Sequence, residues 1–251
     1  MLLTVDIGNT TVAMGGLAGE KLAFLRRLPA ARELGEPGWR SALEGTLAGV
    51  APLQGAVLVS VVPHLTGPVA GVLAALTGKP VRIIDRDTPT GLPLGDYDPA
   101  RLGMDRVVDC VAALARHAPP LAVFNMGTAT TLSVVDGEGV FQGGMILPGL
   151  ALSLSALSDG AAQLPAVTFA RPEGLIGTDT ESCMRCGALY GAAGAIEGIA
   201  RRLEEQFGPL TVVLTGGNSA YVRPLLRIPA IWEPNLTFLG LRELWLRQGS
   251  E

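Results

Sequence analysis

Apolar and polar positions along the chain alternate between two periods, and the changes of period divide it into elements. Residues 2–7 and 11–16 are short apolar runs joined through Gly8-Asn9, which reads as a hairpin. Residues 21–27 read as a third strand, and 30–36, charged and broken by Gly and Pro, as a loop. Helical spacing follows over 39–50, then a buried strand over 54–63 closed by proline. A helix over 65–76 ending at Thr77-Gly78, a strand over 81–84 and an irregular Gly/Pro/Asp-rich stretch over 88–103 come next. A helix from 104 to 116 stops at Pro119-Pro120.

After that double proline the order of the N-terminus returns. Strands are predicted over 121–124, 130–135 and 140–146, with Asp136-Gly137-Glu138-Gly139 as a turn. A helix over 148–157, an extended stretch over 164–172 and a long Gly/Ala-rich helix or helix pair over 180–207 follow. A buried strand over 210–214 ends in Thr215-Gly216-Gly217-Asn218, and a short helix and an element over 238–247 complete the chain. The segment Val5-Asp6-Ile7-Gly8-Asn9-Thr10-Thr11 lines up with Phe124-Asn125-Met126-Gly127-Thr128-Ala129-Thr130. A repeat this long implies two similar α/β lobes rather than a solenoid, with the boundary at the prolines: 1–118 and 119–251. Two such lobes would set their glycine turns on opposite walls of one cleft.

Composition narrows the function. With 48% apolar and 17% charged residues in 251, a substantial core is expected and wholesale disorder is not. A net charge of −4 argues against a nucleic-acid surface. No apolar run has the length of a membrane span, and no signal peptide is expected before the strand beginning at Leu2, so a cytoplasmic protein is expected. Cys110, Cys183 and Cys186 form no disulfide framework, which suits a reducing compartment. Cys183-x-x-Cys186 has the spacing of half a zinc site but no second half, with His64 and His117 far away, so the pair reads as plain helix residues.

The chemistry concentrates at the repeated turns. A strand end that presents Asp6, Gly8 and backbone N–H groups suits a phosphate and its divalent metal. A Walker-type loop is absent, since Gly78-Lys79 lacks the earlier glycine and is followed by Pro80. Asp105-Arg106 at a helix start reads, taken alone, as a capping and salt-bridge pair.

The duplicated strand–hairpin–phosphate-loop unit, with a strand ending in Thr-Gly-Gly, resembles the acetate kinase, sugar kinase, Hsp70 and actin superfamily. That resemblance implies two ribonuclease H-like (actin-like ATPase) α/β lobes with an ATP cleft between them. Within it the chain closely resembles the type III pantothenate kinases. The resemblance rests on Asp6-Ile7-Gly8-Asn9-Thr10, Ser60-Val61-Val62-Pro63, Tyr97-Asp98-Pro99, Gly103-Met104-Asp105-Arg106 and Gly127-Thr128-Ala129-Thr130-Thr131. It continues through Gly143-Gly144-Met145-Ile146-Leu147-Pro148-Gly149, Ile176-Gly177-Thr178-Asp179-Thr180 and Thr215-Gly216-Gly217.

The resemblance implies ATP-dependent phosphorylation of pantothenate to 4'-phosphopantothenate, the first step of coenzyme A biosynthesis. Asp6, Ile7, Gly8, Asn9, Thr10, Thr11, Val12 and Ala13 would line the ATP phosphates, with Asp6 holding magnesium through water. Thr128, Gly216 and Gly217 would also contact ATP. Asp105 would be the catalytic base, and Tyr97, Gly103, Met104, Asp105, Arg106 and Thr180 would bind pantothenate, Arg106 pairing with its carboxylate. A homodimer with the pantothenate site at its interface is implied as well. The family ties a monovalent cation, K+ or NH4+, to an aspartate where this chain has Asn125, and carries another aspartate where it has Ser133. A carboxamide brings no charge, so weakened or altered cation dependence is expected. Asn125 also motivates a non-catalytic or regulatory homologue as an alternative reading, and a kinase of another small hydroxyl substrate as a third.

Overall fold

The computed structural model describes residues 1–31, 33–50 and 52–249; Arg32, within the loop expected over 30–36, lies outside them. The chain forms two compact units. The first comprises Met1–Leu92, Asp98–Ala115 and the segment from Asn235 onward; the second comprises Pro93–Tyr97 and Arg116–Pro234.

In the first unit β1 (Leu2–Ile7), β2 (Thr11–Ala18) and β3 (Lys21–Pro29) form an antiparallel meander. Two parallel strands, β4 (Gly55–Ser60) and β5 (Val81–Ile84), extend it to the order β3-β2-β1-β4-β5. Period-2 alternation sends Leu3, Val5 and Ile7 to one face, where they share a core with Val12, Met14 and Leu58. Trp39 and Leu43 of α1 (Glu36–Leu47) and Leu65, Val69 and Leu73 of α2 (Pro63–Thr77) close that core. Both helices begin earlier than their apolar spacing predicts. Pro37 and Pro63 occupy first-turn positions, where a missing N–H costs nothing, so Pro63 opens α2 rather than closing a strand.

The opposite face of this sheet carries α3 (Met104–Leu114), preceded by a 3-10 turn at Pro99–Arg101, and the C-terminal helix α7 (Leu236–Arg247). A boundary at the double proline would leave this C-terminal helix in the second half; it belongs instead to the first unit. Its apolar face, Leu236, Phe238, Leu239, Leu241 and Leu244, is buried, and it packs on α3, β1 and β4. Gly240 allows the approach, because a Cβ there would stand 2.2 Å from the Val108 carbonyl oxygen.

The second unit repeats the same topology. β6 (Leu121–Met126), β7 (Ala129–Val135) and β8 (Phe141–Pro148) form the meander, and β9 (Thr211–Thr215) and β10 (Ile231–Trp232) run parallel beyond β6. The two-residue β10, too short for any periodic signal, was not anticipated. Phe124, Met126, Leu132 and Leu214 bury one face beneath α4 (Leu150–Gly160) and α5 (Thr180–Phe207). α5 is one continuous helix of 28 residues, opened by a reciprocal cap in which Ser182 N–H donates to Asp179 and Asp179 N–H to Ser182. Its core side is Leu189, Ala193, Ile196, Ala200 and Leu203, whereas Gly187, Gly191 and Gly194 lie on its exposed side.

Candidate active site

In the first unit the hairpin closes when Gly8 N–H donates to the Thr11 carbonyl at 2.9 Å. Asn9 and Thr10 are exposed at its tip, whereas the Ile7 and Val12 side chains are fully buried, so those two residues can offer a ligand only backbone groups. Asp6 alternates with Val5 and Ile7 and therefore lies on the α3/α7 side of the sheet, in register with Ala13 and Val59.

α3 supplies the second carboxylate. Asp105 sits in its first turn, where the backbone N–H of Arg106 and the helix dipole favour an anion. Gly103 leaves room for it, since a Cβ there would lie 2.6 Å from Asp105 Oδ1. Arg106, beside it, is 7% exposed, and Met104 is half-buried. Burial and then repulsion from Asp105 push Asp6 from an ordinary 3.8 up to about 7. Asp105 is also raised, by burial above all, against the lowering influence of the Arg106 N–H and charge. Two desolvated carboxylates, one of which feels the charge of the other, are the donor chemistry that a divalent cation takes.

α3 also carries a buried carboxylate to which no sequence motif points. One turn beyond Asp105, Asp109 is 2% exposed and accepts a 2.6 Å hydrogen bond from Thr237 Oγ1 of α7. The partners are 128 positions apart, so no local pattern could have linked them.

In the second unit the turn after β6 is closed by Gly127 N–H donating to the Ala129 carbonyl. Asn218 braces it from behind: its Nδ2 donates to the Gly127 carbonyl at 2.9 Å and its backbone N–H to the Met126 carbonyl. Gly149 N–H donates to the Thr128 carbonyl, and Thr128 itself is exposed. Asn218 belonged to the motif quoted from the sequence, but its bracing role depends on the fold. Gly216, at a φ of +84°, ends β9 so close to Asn125 that an added Cβ would stand 2.6 Å from Oδ1. Gly217 is exposed, and Ser219 Oγ, bonded by the Trp232 indole N–H, donates to the Gly216 carbonyl. Asn125 pairs with Thr131, and Ser133 lies one alternate position further from the turn, on the same sheet face. Neither Asn125 nor Ser133 supplies the carboxylate of a charged monovalent-cation site.

The remaining predicted ligands also fall in the second unit. Tyr97 packs edge-on against Phe141 of β8 with ring centroids 5.2 Å apart. Thr180 is the exposed first residue of α5 and lines a depression of about 530 Å³ with Leu157, Leu164, Thr178 and Cys183. The structure therefore brings Asp6, Gly103, Met104, Asp105 and Arg106 together in one unit, and Asn125, Thr128, Gly216 and Gly217 in the other. No cluster of three or more His, Cys, Asp or Glu suited to a metal occurs among the described residues, and no described helix is long and apolar enough to cross a membrane.

A profile of the type III pantothenate kinases matches residues 2–202. Type III pantothenate kinases of Moorella thermoacetica and Roseiflexus castenholzii are 34% and 37% identical, each over 98% of this chain and 99% and 98% of their own. That of Rhodospirillum centenum is 37% identical over the whole of both chains. Among solved structures, a Baf family protein from Campylobacter jejuni is similar in fold, with a TM-score of 0.58, 19% identity and 98% of each chain covered. A candidate N-acetylmannosamine kinase from Listeria monocytogenes has a TM-score of 0.53 at 14% identity, covering 98% of this chain and 99% of its own. The chain thus shares its fold with these proteins, and on the full-length matches it belongs to the type III pantothenate kinase family.

Proposed function

We propose that the protein is an ATP-dependent kinase that transfers the γ-phosphoryl group to the hydroxyl of pantothenate, opening coenzyme A biosynthesis. The observation that carries this reading, beyond family membership, is that Asp6 lies on the sheet face that α3 covers and feels the charge of Asp105 from that helix, both carboxyls being held above the usual carboxylate range. A binding-only descendant would have no need of a second desolvated carboxylate within electrostatic reach of Asp6.

Phosphoryl transfer asks the protein mainly for position and charge neutralisation. The first hairpin offers backbone N–H groups to the phosphates, and Asp6 would hold the divalent cation, magnesium in this reading. When bound, that ion supplies neutralisation of phosphate charge. Thr128, Gly216 and Gly217 would contact the nucleotide as well. Asp105 accepts the proton of the pantothenate hydroxyl as its oxygen bonds to the γ-phosphorus and the bond from that phosphorus to ADP breaks. Burial raises the proton affinity of Asp105, which suits a base, and Arg106, whose charge opposes that rise, would pair with the pantothenate carboxylate. Tyr97 and Thr180 complete the pantothenate contacts, with a homodimer, its substrate site at the interface, and a cytoplasmic location part of the same reading. Because Asn125 is neutral, no step here uses a monovalent cation.

Transfer of label from ATP to pantothenate tests the proposal. Asp105→Asn should lower kcat by about 10²- to 10⁴-fold while ATP still binds. Full activity in that variant would overturn the role of Asp105. ATP binding without transfer in the unaltered protein would favour the regulatory reading, and transfer only to another acceptor the third.

A further inference from the structure

One motif has no part in this chemistry. Cys183 and Cys186 stand one turn apart near the start of α5, Cys183 exposed and Cys186 6% exposed. Cys183 Sγ donates to the Gly177 carbonyl at 3.4 Å, and Cys186 Sγ to the Gly174 carbonyl at 3.3 Å. The two thiols thus fasten both ends of residues 174–177, a segment running antiparallel to the helix and leading directly into Thr180. Within the chain, apolar packing contributes little to holding it, because Leu175 and Ile176 are 59% and 80% exposed. Cys183 also lines the depression that contains Thr180.

We propose that Cys183 and Cys186 are a thiol–disulfide exchange site for low-molecular-weight disulfides, and that its oxidation loosens the Thr180 end of α5. The exposed Cys183 thiolate attacks one sulfur of the incoming disulfide, forming a mixed disulfide and expelling one small thiolate. The Cys186 thiolate then attacks the Cys183 sulfur and expels the second. Two protein thiols are oxidised to one disulfide, the reagent is reduced to two thiols, and the two protein protons pass to the expelled thiolates. Residues three apart on a helix have Cβ atoms about 5–6 Å apart, whereas a disulfide needs about 3.5–4.5 Å, so closure tightens the helix start. It also removes both S–H donors from the carbonyls of Gly174 and Gly177. Exposure and this mismatch make the bond a labile, reversible one rather than a structural staple. Metal capture is the poorer use of the pair, since no third His, Cys, Asp or Glu joins it among the described residues.

The effect on catalysis rests on the proposed role of Thr180; the exchange itself does not. The full-length protein would be incubated with oxidised glutathione, its free thiols alkylated, and its peptides analysed by mass spectrometry without reduction. A Cys183–Cys186 cross-link that dithiothreitol reverses is expected, while Cys186→Ser stops at a glutathione adduct on Cys183. Unreacted thiols, or a stable Cys183 adduct in the unaltered protein, would overturn the exchange site. Oxidised protein should show a KM for pantothenate raised about fivefold, the equivalent of one lost hydrogen bond, restored by dithiothreitol and absent in Cys183→Ser. A cross-link that leaves KM unchanged would overturn the coupling to Thr180. A cross-link in a protein without pantothenate kinase activity would support the exchange site and sink the kinase reading alone.

Discussion

Asp6→Asn should stabilise the fold while abolishing function. In the metal-free protein Asp6 titrates near 7 instead of an ordinary 3.8, because burial and the Asp105 charge oppose its ionisation. A carboxyl with a higher pKa folded than unfolded holds its proton more tightly in the fold. Its contribution to stability is therefore fully present below 3.8 and is lost as pH rises through about 7. At about 1.36 kcal/mol per pH unit that interval amounts to about 4 kcal/mol. Residual solvent contact at Asp6 reduces this, so at about pH 8 the Asn variant should be more stable by about 2–4 kcal/mol. Denaturant unfolding of both proteins across the pH range measures the difference. The wild-type curve should fall away from the variant's between acid and neutral pH and converge with it below about pH 4. Magnesium should recover the wild type but not the variant, since a cation at Asp6 reverses the cause of the shift. An Asn variant that is less stable at alkaline pH, or parallel to the wild type throughout, would refute the reasoning.

Three further outcomes follow from particular contacts. Replacing potassium by sodium should change kcat much less than a charged cation site would require, because Asn125 and Ser133 are neutral; a strict potassium requirement in steady-state kinetics would contradict this. Gly216→Ala forces a side chain into a positive φ and against Asn125, so the KM for ATP should rise by about tenfold or more, equivalent to about 1.4 kcal/mol, and an unchanged KM would show that β9 does not shape the nucleotide site. Thr237→Val removes a buried hydrogen bond to Asp109, so urea unfolding should show a loss of about 2 kcal/mol; a change under about 0.5 kcal/mol would mean the bond contributes nothing net.

Much of this protein was written locally. The paired hairpins declared themselves because alternating apolar residues and Gly turns specify strands without outside help, and the repeat of Asp6-x-Gly8 as Asn125-x-Gly127 announced two lobes of one topology. The helix start at Asp105 was equally plain. Chain entropy and side-chain shape act over a few residues, so such features survive in the linear string. What the string withheld depends on burial by distant segments. Nothing near 236–247 says that α7 crosses back to cover β1, β4 and α3, because its apolar stripe would suit either sheet. Thr237 beneath Asp109 and Asn218 behind Gly127 are likewise products of folding. The sequence by itself determined that Asp6 and Asp105 are carboxylates at the ends of a strand and the start of a helix. Only the tertiary structure decided that α3 brings Asp105 over the sheet face that carries Asp6 and desolvates both, and desolvation, not residue type, raises their proton affinity.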